Sequence, residues 1–294
     1  VFGIGIVELA VFALGAGALV VLVLYRATHA VVVALGGPGG ETAPAARAWQ
    51  QVLAVRVLAL AVGTVLAAFT WRVGDLGRGQ MLALAVLGLC VLAGTAVGET
   101  VIRPRPPAGP RTASLRPRRV RDHLPWTAWL VATQAVLLVA LMVLTTLTAS
   151  TDDLGHARAL ACSAGGLGER RSPYPGAFYT GPLAIALLVV LGTATLAARR
   201  VVDRPRGMAD TEAGDDRLRR DSLDVVVAAT GVALGFPLAG LAATAGSAMT
   251  GLSEACAPGW AHPVGAVLLV VALVSLGSVA GLLGRLYLGR GPRG

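Results

Sequence analysis

The sequence predicts an all-α integral membrane protein, a polytopic bundle of seven transmembrane helices with its N-terminus outside and its C-terminus cytoplasmic. Three observations predict it. The chain is 55% hydrophobic and only 14% charged, with a mean hydropathy of +0.71, whereas roughly a quarter of the residues in a soluble domain carry charge. Its apolar residues gather into seven runs, each near the ~20 residues an α-helix needs to cross ~30 Å of hydrocarbon. Its basic residues, all arginine, crowd into alternate connections between those runs.

The first run, about residues 3–24, has no basic residue ahead of it and no small-residue cleavage site behind it, so it reads as a retained anchor entering from outside. The GGPGG at 36–40 stops any helical continuation. Further spans are expected at about 51–71, 81–101, 126–147, 178–198, 223–245 and 264–286, all within a single membrane domain covering 1–294. These runs lack a polar stripe at helical period, as lipid-surrounded helices should. Helices follow rather than strands, because lipid offers no water to satisfy a lone backbone N–H, and barrel-type alternation is absent. The sixth span is preceded by Asp216 to Ser222, several of which are N-cap residues, so it should begin below the membrane surface. Pro237 should kink it, because the bond to the Ala233 carbonyl is lost. Gly231 and Gly235 in the sixth span, and Gly277 and Gly281 in the seventh, form GxxxG pairs that read as close packing within the bundle.

Orientation follows from the arginines. Nineteen fall in the connections 25–50, 102–125 and 199–222 and in the C-terminal tail, against five in the outer connections, which places the rich loops on the cytoplasmic side. Residues 103–122 alone hold seven. Without an interleaved aromatic, and with prolines resisting a recognition helix, this stretch does not read as a nucleic-acid site. It suits anionic lipid headgroups instead. The tryptophans and tyrosines fall at the span boundaries as an aromatic belt. Arginine to the exclusion of lysine, with Ala, Val, Leu and Gly dominating, is the bias of a GC-rich bacterial genome, so the expected location is a bacterial cytoplasmic membrane. RPR at 103–105 recurs at 204–206 with an offset of 101, which duplication of a helical hairpin would explain, though arginine-rich inner ends are expected anyway and the spans do not match well.

Candidate chemistry sits in two places. Cys162 and Cys256 fall in the two sizeable outer loops, 148–177 and 246–263, and two thiols facing an oxidising compartment are candidates for a disulfide. His156 and His262 each stand six residues from one of those cysteines, so an outer Cys2His2 metal set is the alternative, though the spacing is looser than in familiar zinc sites. Within the spans, Glu8, Arg56, Glu99 and Gln134 are the polar groups that transport would use. Arg56 and Glu99 lie at similar depth on consecutive antiparallel spans and should pair, and Gln134 can bond to a neighbouring helix.

No P-loop, HExxH or GxSxG motif occurs, and the absence of lysine forbids a retinal Schiff base. No cofactor is expected. The reading that follows is a non-enzymatic accessory, sensory or scaffolding membrane protein with a membrane-protein partner of unknown identity. The alternatives are a small transporter or channel subunit using Glu8 and the polar groups of the spans, or an intramembrane enzyme.

Overall fold

The computed structural model describes residues 44–101, 124–164, 167–203 and 212–288. Six helices in it are long and apolar enough to cross a membrane. They are α1 (Pro44–Arg72), α2 (Arg78–Val101), α3 (Thr127–Thr148), α4 (Ala177–Val202), α5 (Glu212–Thr250) and α6 (Ala261–Leu288). They match the second to seventh expected spans. The first expected span, 3–24, and with it Glu8, lies outside the described residues, as do both RPR triplets. Proline at the first position of α1 costs nothing there, since that N–H has no intrahelical acceptor in any case. The α1–α2 link is a tight turn through Asp75–Gly77 in which Gly74 and Gly77 have φ of 95° and 80°. Leu76 shares the left-handed region at φ 57°, held by the Tyr179 hydroxyl, which donates to its carbonyl at 2.6 Å.

The mostly helical chain is not all-α. Between α3 and α4, where a plain loop was expected, a three-stranded antiparallel sheet forms in the order β1 (Ser150–Thr151), β2 (Ala157–Ala164), β3 (Leu167–Arg171). In it Leu160 faces Arg171 and Cys162 faces Glu169. The charged connection 199–222 is also shorter than expected. α4 runs on to Val202 and α5 starts at Glu212, about two turns before its apolar stretch begins at Arg219.

α5 occupies the centre. In its apolar stretch 78% of residues are buried, against 17–44% in the other five spans. It lies against α2, α3, α4 and α6, while α1 packs on α2. Alanine and glycine make this possible. Lipid is as apolar as a leucine side chain, so helices associate by van der Waals contact, and small residues bring more atoms within range. A Cβ at Gly231 would stand 2.5 Å from Leu282 of α6, and one at Gly235 would overlap Val279. From the α2 side, a Cβ on Gly88 would meet the Ala233 backbone at 2.5 Å. The second GxxxG pair departs from the expectation: Gly277 and Gly281 have open space where a side chain would stand, so this stripe faces away from the bundle. Pro237 does not end α5, which is continuous across it.

Gly235→Val should therefore lower stability by about 1–3 kcal/mol through overpacking against Val279 and Gln134. Gly277→Ala should change it by no more than about 0.5 kcal/mol. Thermal unfolding of the two variants in detergent, compared at equal protein concentration, checks the contrast.

Candidate functional site

One end of the bundle carries a cap built from the sheet and the α5–α6 connection. Cys162 of β2 and Cys256 of that connection form a disulfide with a Cα–Cα separation of 5.7 Å, which puts both loops on the same side of the bundle. Around it the cap is tied by backbone and charge. Glu169 of β3 accepts the Ser253 amide at 2.7 Å and pairs with Arg171 at 2.6 Å. Asp152 accepts the amides of Leu154 at 2.9 Å and His156 at 2.8 Å and pairs with Arg158. The Tyr174 amide donates to the Arg158 carbonyl at 2.8 Å, and its ring is fully buried with the hydroxyl on Thr148 at 2.5 Å. Phe178, at the start of α4, lies beneath Arg78 at 4.5 Å and beside His156 at 4.8 Å.

These contacts set the titration behaviour. The Ser253 amide and hydroxyl, then Arg171, hold the Glu169 carboxyl below its ordinary range. Partial desolvation pushes the Asp152 carboxyl up, but the His156 and Leu154 amides and the Arg158 guanidinium outweigh it and hold it below its ordinary range. Burial pushes the Tyr174 phenol up. A cleft of about 760 Å³ opens on the cap between Asp152, Asp153, Arg158, Glu169 and Arg170.

The cap does not assemble the outer metal set. Each cysteine sulfur is bonded to the other, leaving no thiolate to give a metal. His156 rests on Phe178, and His262 bonds the Leu252 carbonyl through Nε2 at 2.9 Å. Among the described residues no group of three His, Cys, Asp or Glu side chains is placed to hold a metal ion.

Among the described residues the polar groups of the spans meet in separate places, one of them the Thr146–Thr180 hydroxyl contact between α3 and α4 at 2.7 Å. Arg56 of α1 and Glu99 of α2 form a buried ion pair. Arg56 Nη1 also donates to the Leu286 carbonyl at 3.3 Å, and the Tyr287 hydroxyl donates to the Arg56 carbonyl at 3.2 Å, so α6 joins the same knot. Gln134 of α3 lies elsewhere, against Gly231 and Gly235, and donates to Ser278 of α6 at 2.8 Å. Ser278 in turn donates to the Ser275 carbonyl at 2.7 Å, and Ser275 to the Gly235 carbonyl at 2.8 Å. A further meeting point is Asp224 of α5, which accepts Thr127 of α3 at 2.9 Å and Arg285 of α6 at 3.3 Å.

Sequence reasoning paired Arg56 with Glu99 and gave Gln134 a neighbouring helix, but it passed over Asp224, Thr127 and Arg219. Arg219, within the connection expected at 199–222, is 2% exposed. Its signal was present: Arg219, Leu223 and Val226 recur at helical spacing, which carries the helix pattern back past the expected start at 223.

Two outcomes follow. Glu99→Gln or Arg56→Leu leaves its partner as an uncompensated buried charge and should lower stability by about 3–5 kcal/mol, whereas the double replacement should recover much of the loss; thermal unfolding of the singles and the double measures this. In the cap, two carboxylates have folded pKa values depressed below the ordinary ~4. Their contribution is present above that pH and is lost as pH falls through the folded values. Amide exchange in β2 and β3, corrected for its intrinsic pH dependence, should therefore speed up below about pH 4, while the transmembrane helices stay protected.

No protein family, curated protein or solved structure matches the chain.

Proposed function

We propose that this multi-pass protein is a non-enzymatic component of a bacterial cytoplasmic membrane, of accessory, sensory or scaffolding type, that carries a covalently clamped cap on the extracytoplasmic side. The carrying observation is where the polar side chains of the spans go. Arg56 and Glu99 pair with each other among α1, α2 and α6. Gln134 and Ser278 bridge α3 and α6. Transport needs polar groups converging on a hydrated path, and catalysis needs a nucleophile and a base brought together. These groups act instead as ties between helices. The cap supplies the contrasting feature, a charged cleft open to water and fixed to the bundle by the disulfide. The arginine bias of the inner connections supports the orientation that places the cap outside, in the compartment where such a bond persists.

The test separates this reading from a transporter. With Cys90, a free cysteine of α2, changed to Ala, cysteines replacing Gln134 and Ser278 one at a time should resist membrane-impermeant thiol reagents added to either face of proteoliposomes. Proton leakage should match that of empty vesicles. Labelling at any of these positions together with leakage above the empty control would establish the transporter instead.

A further inference from the structure

The geometry points to a binding site for an anionic phospholipid at the inner mouth of the groove between α3 and α6, with Arg285 and the exposed rings of Trp126 and Trp129 holding the headgroup. This goes beyond the accessory reading and stands independently of it.

The site is built from three helices. Trp126 and Trp129, at the start of α3, are 72% and 81% exposed. Indole rings favour the headgroup layer because an apolar body is joined to an N–H donor, so rings this open at a helix end belong in lipid. The Arg285 guanidinium lies over the Trp126 ring at 5.6 Å. Asp224 orients it from the other side at 3.3 Å and is itself held by the Thr127 hydroxyl. The guanidinium is therefore aimed before any ligand arrives, yet its side chain remains 42% exposed. Arginine presents several N–H donors in one plane and matches a phosphate in a way a point charge cannot.

The charge at this mouth is positive. Arg217 and Arg220 lie seven and four residues before Asp224 on α5, which sets them on the same face, both exposed, where the membrane stretch begins. With Arg285 they make three cations against Asp221 and Asp224, and Asp221 feels both of these α5 arginines. A free anion would answer that charge, but the apolar lane above it selects a lipid. Ser278, Gly281 and Arg285 share one flank of α6 by their spacing of three and four, and Gly281 has open space where a side chain would be. Trp126, Leu130 and Leu137 line the facing flank of α3 at the same kind of spacing, and Leu137 is exposed. The Gln134–Ser278 bridge closes the depth of the groove. An acyl chain fits that lane, with its phosphate at Arg285. Basic pockets between helices near the inner surface are where headgroups bind.

Brominated lipids test it, because bromine on an acyl chain quenches indole emission at contact. In a chain with Trp49, Trp71 and Trp260 changed to Phe, only Trp126 and Trp129 emit. In phosphatidylcholine vesicles, brominated phosphatidylglycerol should quench them more than brominated phosphatidylcholine at the same mole fraction. Arg285→Gln should cut that preference about fivefold, the worth of one arginine near a charged surface. Arg200→Gln, at the inner end of α4, should leave it unchanged. Equal quenching by the two lipids, equal loss in both arginine variants, or release of the preference by inorganic phosphate would each overturn the site. Native mass spectrometry of the unsubstituted chain from mixed micelles is a second, independent measurement: retained phosphatidylglycerol in excess supports the site, and equal retention of the two lipids sinks it.

Discussion

Hydrocarbon donates and accepts no hydrogen bonds, so a polar group carried into it is stabilised by a partner in the protein. That single constraint explains the helices, which satisfy their own backbones, and it explains where the few polar side chains ended up. Arg56 reaches Glu99 and the Leu286 carbonyl, Ser275 reaches the Gly235 carbonyl, and Thr145, Thr230 and Thr244 turn back on the carbonyls of their own helices. Each bond between helices is also a tie. A charge that can lie only beside its opposite fixes the depth and rotation of both helices that carry the pair, which apolar contact alone leaves nearly free to slide.

Close packing then follows from the choice of central helix. α5 meets four others, and the closest approaches fall where it carries glycine or alanine, at Gly231, Ala233 and Gly235. The arrangement divides the labour between residue types: small residues on α5 provide contact area, larger ones on its neighbours provide the atoms that fill the notches, and the polar ties set the register. α6 shows the division within one helix. Its Val279 and Leu282 fill the notches at Gly235 and Gly231, its Ser275 and Ser278 carry hydrogen bonds, and its Gly277 and Gly281 have open space where a side chain would stand.

The spans were legible because twenty apolar residues in a row have few other physical readings, and the disulfide was legible because only two cysteines fall in the outer loops. The sheet was not. β2 reads Ala-Arg-Ala-Leu-Ala-Cys-Ser-Ala, and both Ala159 and Leu160 are buried, so adjacent residues are covered and the period-two signal of a half-buried strand never arises. The remaining clue, Gly165-Gly166 between β2 and β3, is a two-residue hairpin signal that carries weight only once strands are suspected. Gly277 and Gly281 were misplaced for a different reason: a GxxxG pair states that a helix has a smooth face and says nothing of which way the face points. Arg219 and Asp224 were hidden by charge, because a stretch dense in arginine and aspartate reads as solvated until the helix that carries it is seen to run under its neighbours.

The two ends of the bundle are held in opposite ways. At the end that carries Arg285 and Asp224 the ties are ionic and partly open, so their strength depends on the headgroups and ions around them. At the end that carries the sheet the cap is held by a covalent bond, a buried tyrosine and carboxylates bonded to amides, none of which needs the lipid to complete it. Because α5 runs between the two with most of its apolar stretch buried, both kinds of tie act on one encased helix, and the packing of small residues along it joins the ionic end to the covalent one.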